Sequence, residues 1–443
     1  MERHLAVRFV VLITAAIVAT AACTAAPPSP TPLPSPTPPA SEPAGDVALA
    51  RVPRLTTVPQ DAVAAAAAVN AFGLDLYRAI AVGTDNAVIS PASVALALAM
   101  ARAGARGETA EQMDAVLRRF GADELAAWPA ALDAALAARS GTFRDQDGSD
   151  LEVILRIANA PFAQRGMPLE DAFLEALASR FGAGLRLVDY IAATEDARQA
   201  INAWVDEQTE QRIPELLVPG VLTPLTRLTL VNAIYLKAPW RTPFVAEATA
   251  PAPFTRLDGS VVEVPTMSTG GSLRYAAGTG WRAVELPYLG DQLALTVIVP
   301  DDLADFEAGL DAAGLEAIVA ELTDRPVTLA LPRFGIETKA QLASALRAMG
   351  MPVAFDPPRA DFSGITAAED LFIHEVVHQA NIDVDEKGTE AAAATAVVIG
   401  VTSAPVDEPV TMLVNRPFVF ALRDLETGAV LFLGRVTDPS VER

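Results

Sequence analysis

The run Asp385-Glu-Lys-Gly-Thr-Glu-Ala-Ala-Ala-Ala-Thr-Ala-Val-Val-Ile-Gly-Val-Thr-Ser403 carries two opposed tendencies. It opens on charge and a glycine and passes through Ala391–Ala394, which suit a helix. It then turns β-branched at Val397, Val398 and Ile399, which suit a strand. Turn and loop residues follow at Ala404-Pro405 and Asp407-Glu408-Pro409. A segment built this way is a candidate for two conformations. In an alanine-rich chain the tetrad alone says little. Gly388, Thr389, Glu390, the four alanines and Thr395 in one register say much more.

Immediately upstream, His374-Glu375-Val-Val-His378 matches the zinc-hydrolase pattern His-Glu-x-x-His. That pattern needs a helix, so that both imidazoles lie on one face a turn apart. Here Phe372, Ile373, Val376, Val377, Ile382 and Val384 favour a strand across Leu371–Val384. No third histidine follows, and Glu386 or Glu390 would serve only on a helix. A zinc metalloprotease is thus the remaining enzymatic alternative, while the expected metal and cofactor set is empty. A serine hydrolase fares worse, because the body has only these two histidines and no Gly-x-Ser-x-Gly elbow.

Further from this stretch, Val69, Phe72, Leu76 and Ile80 recur at helical spacing, with Gly83 closing the helix. Asn86–Ser90 reads as a short strand. Ser90-Pro91 then opens a second helix, serine as cap and proline in the first turn, and Gly104 ends it. Thr109 and Gln112 form a capping box for a third helix through Arg119. Strands are predicted over Leu228–Lys237, Leu293–Val299 and Val327–Phe334, and helices over Ala192–Glu210, Leu303–Leu322 and Lys339–Met349. Strands in runs, rather than regular alternation with helices, favour an α+β architecture. No repeat or boundary divides residues 58–443, which read as one domain.

Ahead of that body, Met1–Ala22 reads as a signal peptide: Arg3 and Arg8 form its positive end and Phe9–Val18 its short apolar core. Ala21-Ala22 before Cys23 is the arrangement a lipoprotein signal peptidase cuts, the thiol then taking diacylglycerol. Thr20 stands where such sites usually carry Leu, Val or Ile, and ordinary cleavage nearby is the alternative. Pro27–Pro43 holds nine prolines, so residues 23–57 read as a lipidated cysteine followed by a semi-rigid linker. The expectation is an exported protein held at a membrane by lipid at Cys23. With one cysteine among 443 residues, disulfides contribute nothing to the body. A formal charge of −22 argues against nucleic acid as a partner. No further segment reads as membrane-spanning.

Glu386-Lys387-Gly388-Thr389-Glu390-Ala391-Ala392-Ala393-Ala394-Thr395 closely resembles the reactive-centre-loop hinge of inhibitory members of the serpin family. Asn232-Ala-Ile-Tyr-Leu-Lys-Ala-Pro-Trp240 is similar to the family's Asn-Ala-Ile-Tyr-Phe-Lys…Trp strand, with Leu236 in place of Phe. Asn86–Met113, Leu331-Pro-Arg-Phe334, Asp361-Phe-Ser-Gly-Ile365 and Asn415-Arg-Pro-Phe-Val-Phe420 fall in the family's order and spacing. The resemblance covers essentially the whole body.

The resemblance implies a serpin fold: mixed, mostly antiparallel β-sheets, surrounding helices and an exposed reactive-centre loop. It implies a monomer that is no enzyme but a suicide inhibitor of serine, or papain-like cysteine, endopeptidases. The protease cuts the loop and is held as an acyl-enzyme while the freed segment enters the main sheet as a new central strand. Ser90, Asn232 and His378 match the region where the sheet opens, and His378 matches a position used for hydrogen bonding under it. His374 departs from the family's usual Ser and acquires no role. By the family's spacing the attacked bond is Thr402–Ser403, with Val401 or Ser403 as alternative residues before the cut. Small and β-branched residues there suit an elastase-like or subtilisin-like target over a trypsin-like one. A non-inhibitory binding relative is the alternative; such relatives carry bulky or charged hinge residues, which this chain lacks.

A strand entering a sheet must alternate its faces. Thr389, Ala391, Ala393, Thr395, Val397 and Ile399 form an uncharged set, and the only charge, Glu390, falls on the other face. Gly388 is the pivot.

Overall fold

Ser90 shows how local sequence sets an element boundary here. Its Oγ accepts the Ser93 N–H at 3.3 Å, and Pro91 fills a first-turn position whose N–H has no helical partner. The computed structural model describes residues 47–118, 127–389 and 408–441. The signal peptide at Met1–Ala22, Cys23 and its linker up to residue 46, the hinge residues Glu390–Thr395 and the Thr402–Ser403 bond lie outside them.

The first elements are β1 (Val47–Ala48), α1 (Pro59–Ile80), β2 (Ala87–Ile89), α2 (Pro91–Gly104), α3 (Gly107–Val116) and α4 (Trp128–Ala137). Next come β3 (Gly141–Arg144), β4 (Asp150–Gln164), α5 (Asp171–Ala176), β5 (Leu185–Val188), α6 (Thr194–Gln208) and β6 (Leu228–Pro239). The strands β7 (Ala250–Thr255), β8 (Val261–Gly278), β9 (Trp281–Pro287) and β10 (Leu293–Pro300) precede α7 (Leu303–Gly309) and α8 (Ala312–Glu321). The chain closes with β11 (Thr323–Pro332), β12 (Phe334–Gln341), α9 (Ala343–Met349), β13 (Val376–Val384), β14 (Gly388–Thr389), β15 (Val410–Leu413), β16 (Phe418–Asp424) and β17 (Val430–Val436).

Two sheets organise these elements, as the α+β reading expects. One runs β1–β5–β4–β6–β14–β13–β12, with β3 paired to β4. The other runs β15–β11–β8–β9–β10–β16–β17–β2, with β7 on β8. Helix α2 packs under β4 and β6 in the main core, which also holds Phe72, Leu230, Phe418 and Phe432. Helix α6 covers the opposite face, where Ile201 and Val205 meet Val231, Ala233 and Val377 in a smaller core. A strand with apolar residues on both faces belongs between two such layers, and β6 is buried along almost its whole length.

Several boundaries differ from the sequence reading. Thr109 caps nothing: it is buried inside α3, where its Oγ1 accepts the Asp361 N–H at 2.9 Å. Gln112 instead donates to Glu108 and accepts from the Val353 N–H. The strand expected over Val327–Phe334 is two strands in different sheets, broken at Arg333. The helix expected over Leu303–Leu322 breaks at Leu310–Asp311, because Asp311 starts a new helix by accepting the Gly314 N–H at 2.8 Å. Lys339–Gln341 belong to β12 rather than to α9, and Leu371–Glu375 precede β13 as irregular chain. Helix α1 is long and apolar enough to cross a membrane by length and composition, which the sequence reading did not count. Its Phe72, Leu74 and Leu76 are buried in the main core. β1 and Arg54, which pairs with Asp133, place ordered chain ahead of residue 58.

Candidate functional site

The parallel neighbours β6 and β13 pair directly only where Val376–Gln379 meet Leu230–Ala233. At the other end β14 lies between them, antiparallel to both: Gly388 faces Pro239, Thr389 faces Ala238, and Thr389 also faces Val384. Between these two ends runs a slot flanked by Ile234, Leu236, Asn381, Asp383 and Thr389. The main sheet is thus zipped at one end, wedged by two residues at the other and open between.

Local chemistry puts the wedge there. Asp385 Oδ1 accepts the N–H groups of Lys387 at 2.8 Å and Gly388 at 3.2 Å, and the Asp385 N–H donates to the Gly388 carbonyl at 3.0 Å. Burial pushes the Asp385 carboxyl up, against those two backbone bonds. Gly388 has φ +151°, and a Cβ there would sit 2.2 Å from the Ala238 carbonyl oxygen. Only glycine allows this approach. The carbonyls of Glu386 and Lys387 accept from the Phe244 and Trp240 N–H groups at 2.8 Å each, and Trp240 Nε1 donates to the Asp385 carbonyl at 2.9 Å.

Around this turn, Trp240 stacks on Tyr288 with ring centroids 4.4 Å apart. The Tyr288 hydroxyl lies 2.5 Å from Thr389 Oγ1. Burial raises the Tyr288 pKa, so this hydroxyl stays neutral. Glu386 is gripped by the Arg333 guanidinium, whose Nε donates to Oε1 at 2.7 Å, and by the Thr249 hydroxyl. Burial alone would push the Glu386 carboxyl up; the Arg333 and Thr249 hydrogen bonds outweigh it and hold it below the usual range. Lys387 supplies its backbone to the turn.

A second cluster sits under the zipped end. His378 Nδ1 and Asn232 Oδ1 are 2.6 Å apart, and His378 Nε2 accepts the Ser90 N–H at 3.1 Å. An amide oxygen only accepts and an N–H only donates, so the imidazole is neutral with its proton on Nδ1. Asn232 Nδ2 donates to Ser93 Oγ at 2.5 Å and Asn159 Oδ1 at 2.6 Å. Complete burial with no compensating charge lowers the His378 pKa to about 3. The expected trio Ser90, Asn232 and His378 therefore forms one hydrogen-bonded unit. It ties α2 to both strands that flank the slot.

This geometry dismantles the zinc reading. Neither histidine lies on a helix: His374 is exposed on irregular chain ahead of β13, and His378 is buried within β13 with both ring nitrogens committed. Glu375 Oε1 accepts the N–H groups of Ala343 and Val376. Among the described residues no three of His, Cys, Asp or Glu gather as a metal set. Sequence reasoning missed Tyr288, Arg333, Thr249, Ser93 and Asn159. Ser93 and Asn159 look like ordinary helix and strand residues, and nothing in the sequence near Tyr288 points to a position 101 residues away.

The comparisons with known proteins agree with this architecture. The sequence model of the serpin (serine protease inhibitor) family matches residues 67–439. A serpin-like protein of Thermococcus kodakarensis is 39% identical over 84% of this chain and 85% of its own length. The leukocyte elastase inhibitor of Homo sapiens is 35% identical over 83% of this chain and 97% of its own. Among solved structures, the thermophilic serpin tengpin in its native state has a TM-score of 0.76 at 26% identity, covering 88% of this chain and 97% of that one. Uncleaved ovalbumin has a TM-score of 0.75 at 28% identity, covering 84% and 99%. With a two-residue wedge at one end of an open slot, a histidine–asparagine tie at the other, and a family match over most of its length, this chain belongs to the serpin family.

Proposed function

We propose that the chain is a single-use inhibitor of serine endopeptidases, with elastase-like or subtilisin-like enzymes as targets. It would be exported and held at a membrane by lipid on Cys23. The attacking serine oxygen forms an ester with the Thr402 carbonyl carbon as the Thr402–Ser403 amide breaks. The serine's proton passes through the protease's own base to the departing Ser403 amine. The freed chain then zips down the slot before water reaches the ester.

The observation that carries this reading is the register of Thr389. It already faces Ala238 from within the slot. Each residue added along the loop moves one residue back along β6. Ala391 then meets Leu236, Ala393 meets Ile234, Thr395 meets Asn232, Val397 meets Leu230 and Ile399 meets Leu228. Every one of those β6 side chains is buried on the core side, so the uncharged set of the loop falls on the core face and Glu390 on the other. Thr395 arrives between Asn232 and His378, where its hydroxyl replaces the bond that the incoming strand splits. The likeness to leukocyte elastase inhibitors supports the target class.

Incubation with pancreatic elastase or subtilisin tests the reading. The expected product is a protease–inhibitor band surviving hot detergent, together with a peptide beginning at Ser403. Clean turnover by both enzymes, with no such band, overturns it.

A further inference from the structure

Beside β12, the last strand of the main sheet, four segments of chain enclose a cavity of about 750 Å³. They are residues 84–86 leading into β2, the β7–β8 turn, β12 itself and the chain after β17. The slot lies on the other side of β13, so the trapping mechanism makes no use of this cavity.

Its walls are fixed by hydrogen bonds between distant segments. Asn86 Oδ1 accepts the N–H groups of Thr437 at 2.7 Å and Asp438 at 3.0 Å, and its Nδ2 donates to the Asp438 carbonyl at 2.7 Å. Arg256 Nε donates to Asp438 Oδ2 at 2.6 Å and its Nη2 to Ser440 Oγ at 3.1 Å, which ties the β7–β8 turn to the same chain. Within that turn Asp258 Oδ1 accepts the Ser260 N–H at 2.9 Å. A cavity held this way is preformed and needs little ordering when a ligand enters.

Two independent features of the lining point to one ligand chemistry. The first is apolar. Leu257 on the turn is 42% exposed and Val441 on the last segment 56% exposed, with Ile336 of β12 buried beside them. Large apolar side chains opening into one concavity are the usual lining of a small-molecule site. The second feature is charge. Four carboxylates line the cavity, Asp85, Asp258, Glu337 and Asp438, against two cations, Arg256 and Lys339. Arg256 is taken by Asp438, and the Lys339 ammonium donates to the Glu215 carbonyl at 2.6 Å. That leaves Asp85 and Asp258 without an ion-pair partner among the described residues. A concave wall of low dielectric focuses their field on whatever enters.

We propose that this cavity binds a primary alkylammonium group, its charge against Asp85 and Asp258 and its chain against Leu257, Val441 and Ile336. An anion meets the wrong sign there, and a bare inorganic cation leaves the apolar walls in water. Such a group has two sources, a free aliphatic amine or a lysine side chain.

Calorimetric titration of the full chain with butylammonium, hexylammonium and hexanoate tests the site. Hexylammonium should bind at millimolar concentration, and hexanoate should not. Each added methylene should tighten binding roughly fourfold, so hexylammonium should exceed butylammonium by roughly fifteenfold. Asp85→Asn combined with Asp258→Asn should weaken hexylammonium binding roughly fivefold. Asparagine keeps an oxygen for the Ser260 N–H and both positions are exposed, so the fold is retained. Leu257→Ser should flatten the dependence on chain length. Nα-acetyl-lysine amide binding as tightly as butylammonium supports the site with a lysine side chain as its source; weaker binding supports it with a free amine. Undetectable hexylammonium binding, hexanoate binding of equal strength, or an unchanged affinity in the double variant overturns the proposal. No protease enters these measurements, so their failure is distinct from failure of the inhibitor reading.

Discussion

The hydroxyl of Tyr288 meets the hydroxyl of Thr389 at 2.5 Å between the two sheets, with Thr389 only 2% exposed. Thr389, the last described residue before the loop, is therefore already a core residue. Under the proposed mechanism its position sets both the starting point and the register of insertion.

Tyr288→Phe keeps the ring stacked on Trp240 and deletes only the partner of the Thr389 hydroxyl. A buried hydroxyl left unpaired costs roughly 1–3 kcal/mol. The native protein should unfold at lower urea than the unsubstituted chain by a corresponding amount, with its fold retained. An unchanged midpoint would show that the contact contributes nothing.

Thr389→Arg places a charge where the wedge is buried. Burying an unpaired charge costs several kcal/mol, so the wedge should leave the sheet in the native protein and fail to enter after cleavage. The expected outcome is a good protease substrate that forms no detergent-stable complex. Native circular dichroism should be retained, because among the described residues only Gly388 and Thr389 leave the sheet. Trapping at the unsubstituted level would contradict the insertion register.

Gly388→Ala tests the close approach to the Ala238 carbonyl. With no room for a Cβ, the turn must move outward and release the carbonyls of Glu386 and Lys387. Hydrogen exchange at the Phe244 and Trp240 amides, which donate to those carbonyls, should accelerate. Protection equal to that of the unsubstituted chain would mean that the turn absorbs the methyl group.

Acid should weaken the zipped end. His378 titrates near 3 in the folded protein against 6.5 for a free imidazole. Above the higher value both folded and unfolded chains are neutral there, and its full contribution is present. As pH falls below about 6.5, the unfolded chain takes up a proton that the native chain refuses. Stability then drops by up to about 1.4 kcal/mol per pH unit for this one group, until about pH 3. Urea midpoints between pH 7 and 4 should fall less steeply for His378→Gln than for the unsubstituted protein. Parallel slopes would remove His378 as the cause.

Much of this was legible in the sequence, for local reasons. Ser90-Pro91 specifies a helix start by its own hydrogen bonding, and β6 is a continuous apolar run that only a doubly covered strand explains. Where local signals competed, tertiary structure won. Thr109 has the chemistry of a cap, yet its hydroxyl is used by Asp361, whose sequence distance of 252 residues hides the pairing. Lys339 reads as the first turn of a helix, yet β13 recruits it as strand.

By itself the chain's order of residues determined that Thr389 to Ile399 alternates uncharged small and β-branched side chains behind a glycine. This follows from covalent sequence, because the faces of a strand repeat every two residues wherever the strand is placed. It equally determined that His374 and His378 sit among strand formers. Only the tertiary structure decided that the slot is held open with Thr389 seated on Tyr288, and that His378 closes it against Asn232 and Ser90. Those contacts join segments far apart in the chain, and their strength comes from burial, which no local pattern encodes.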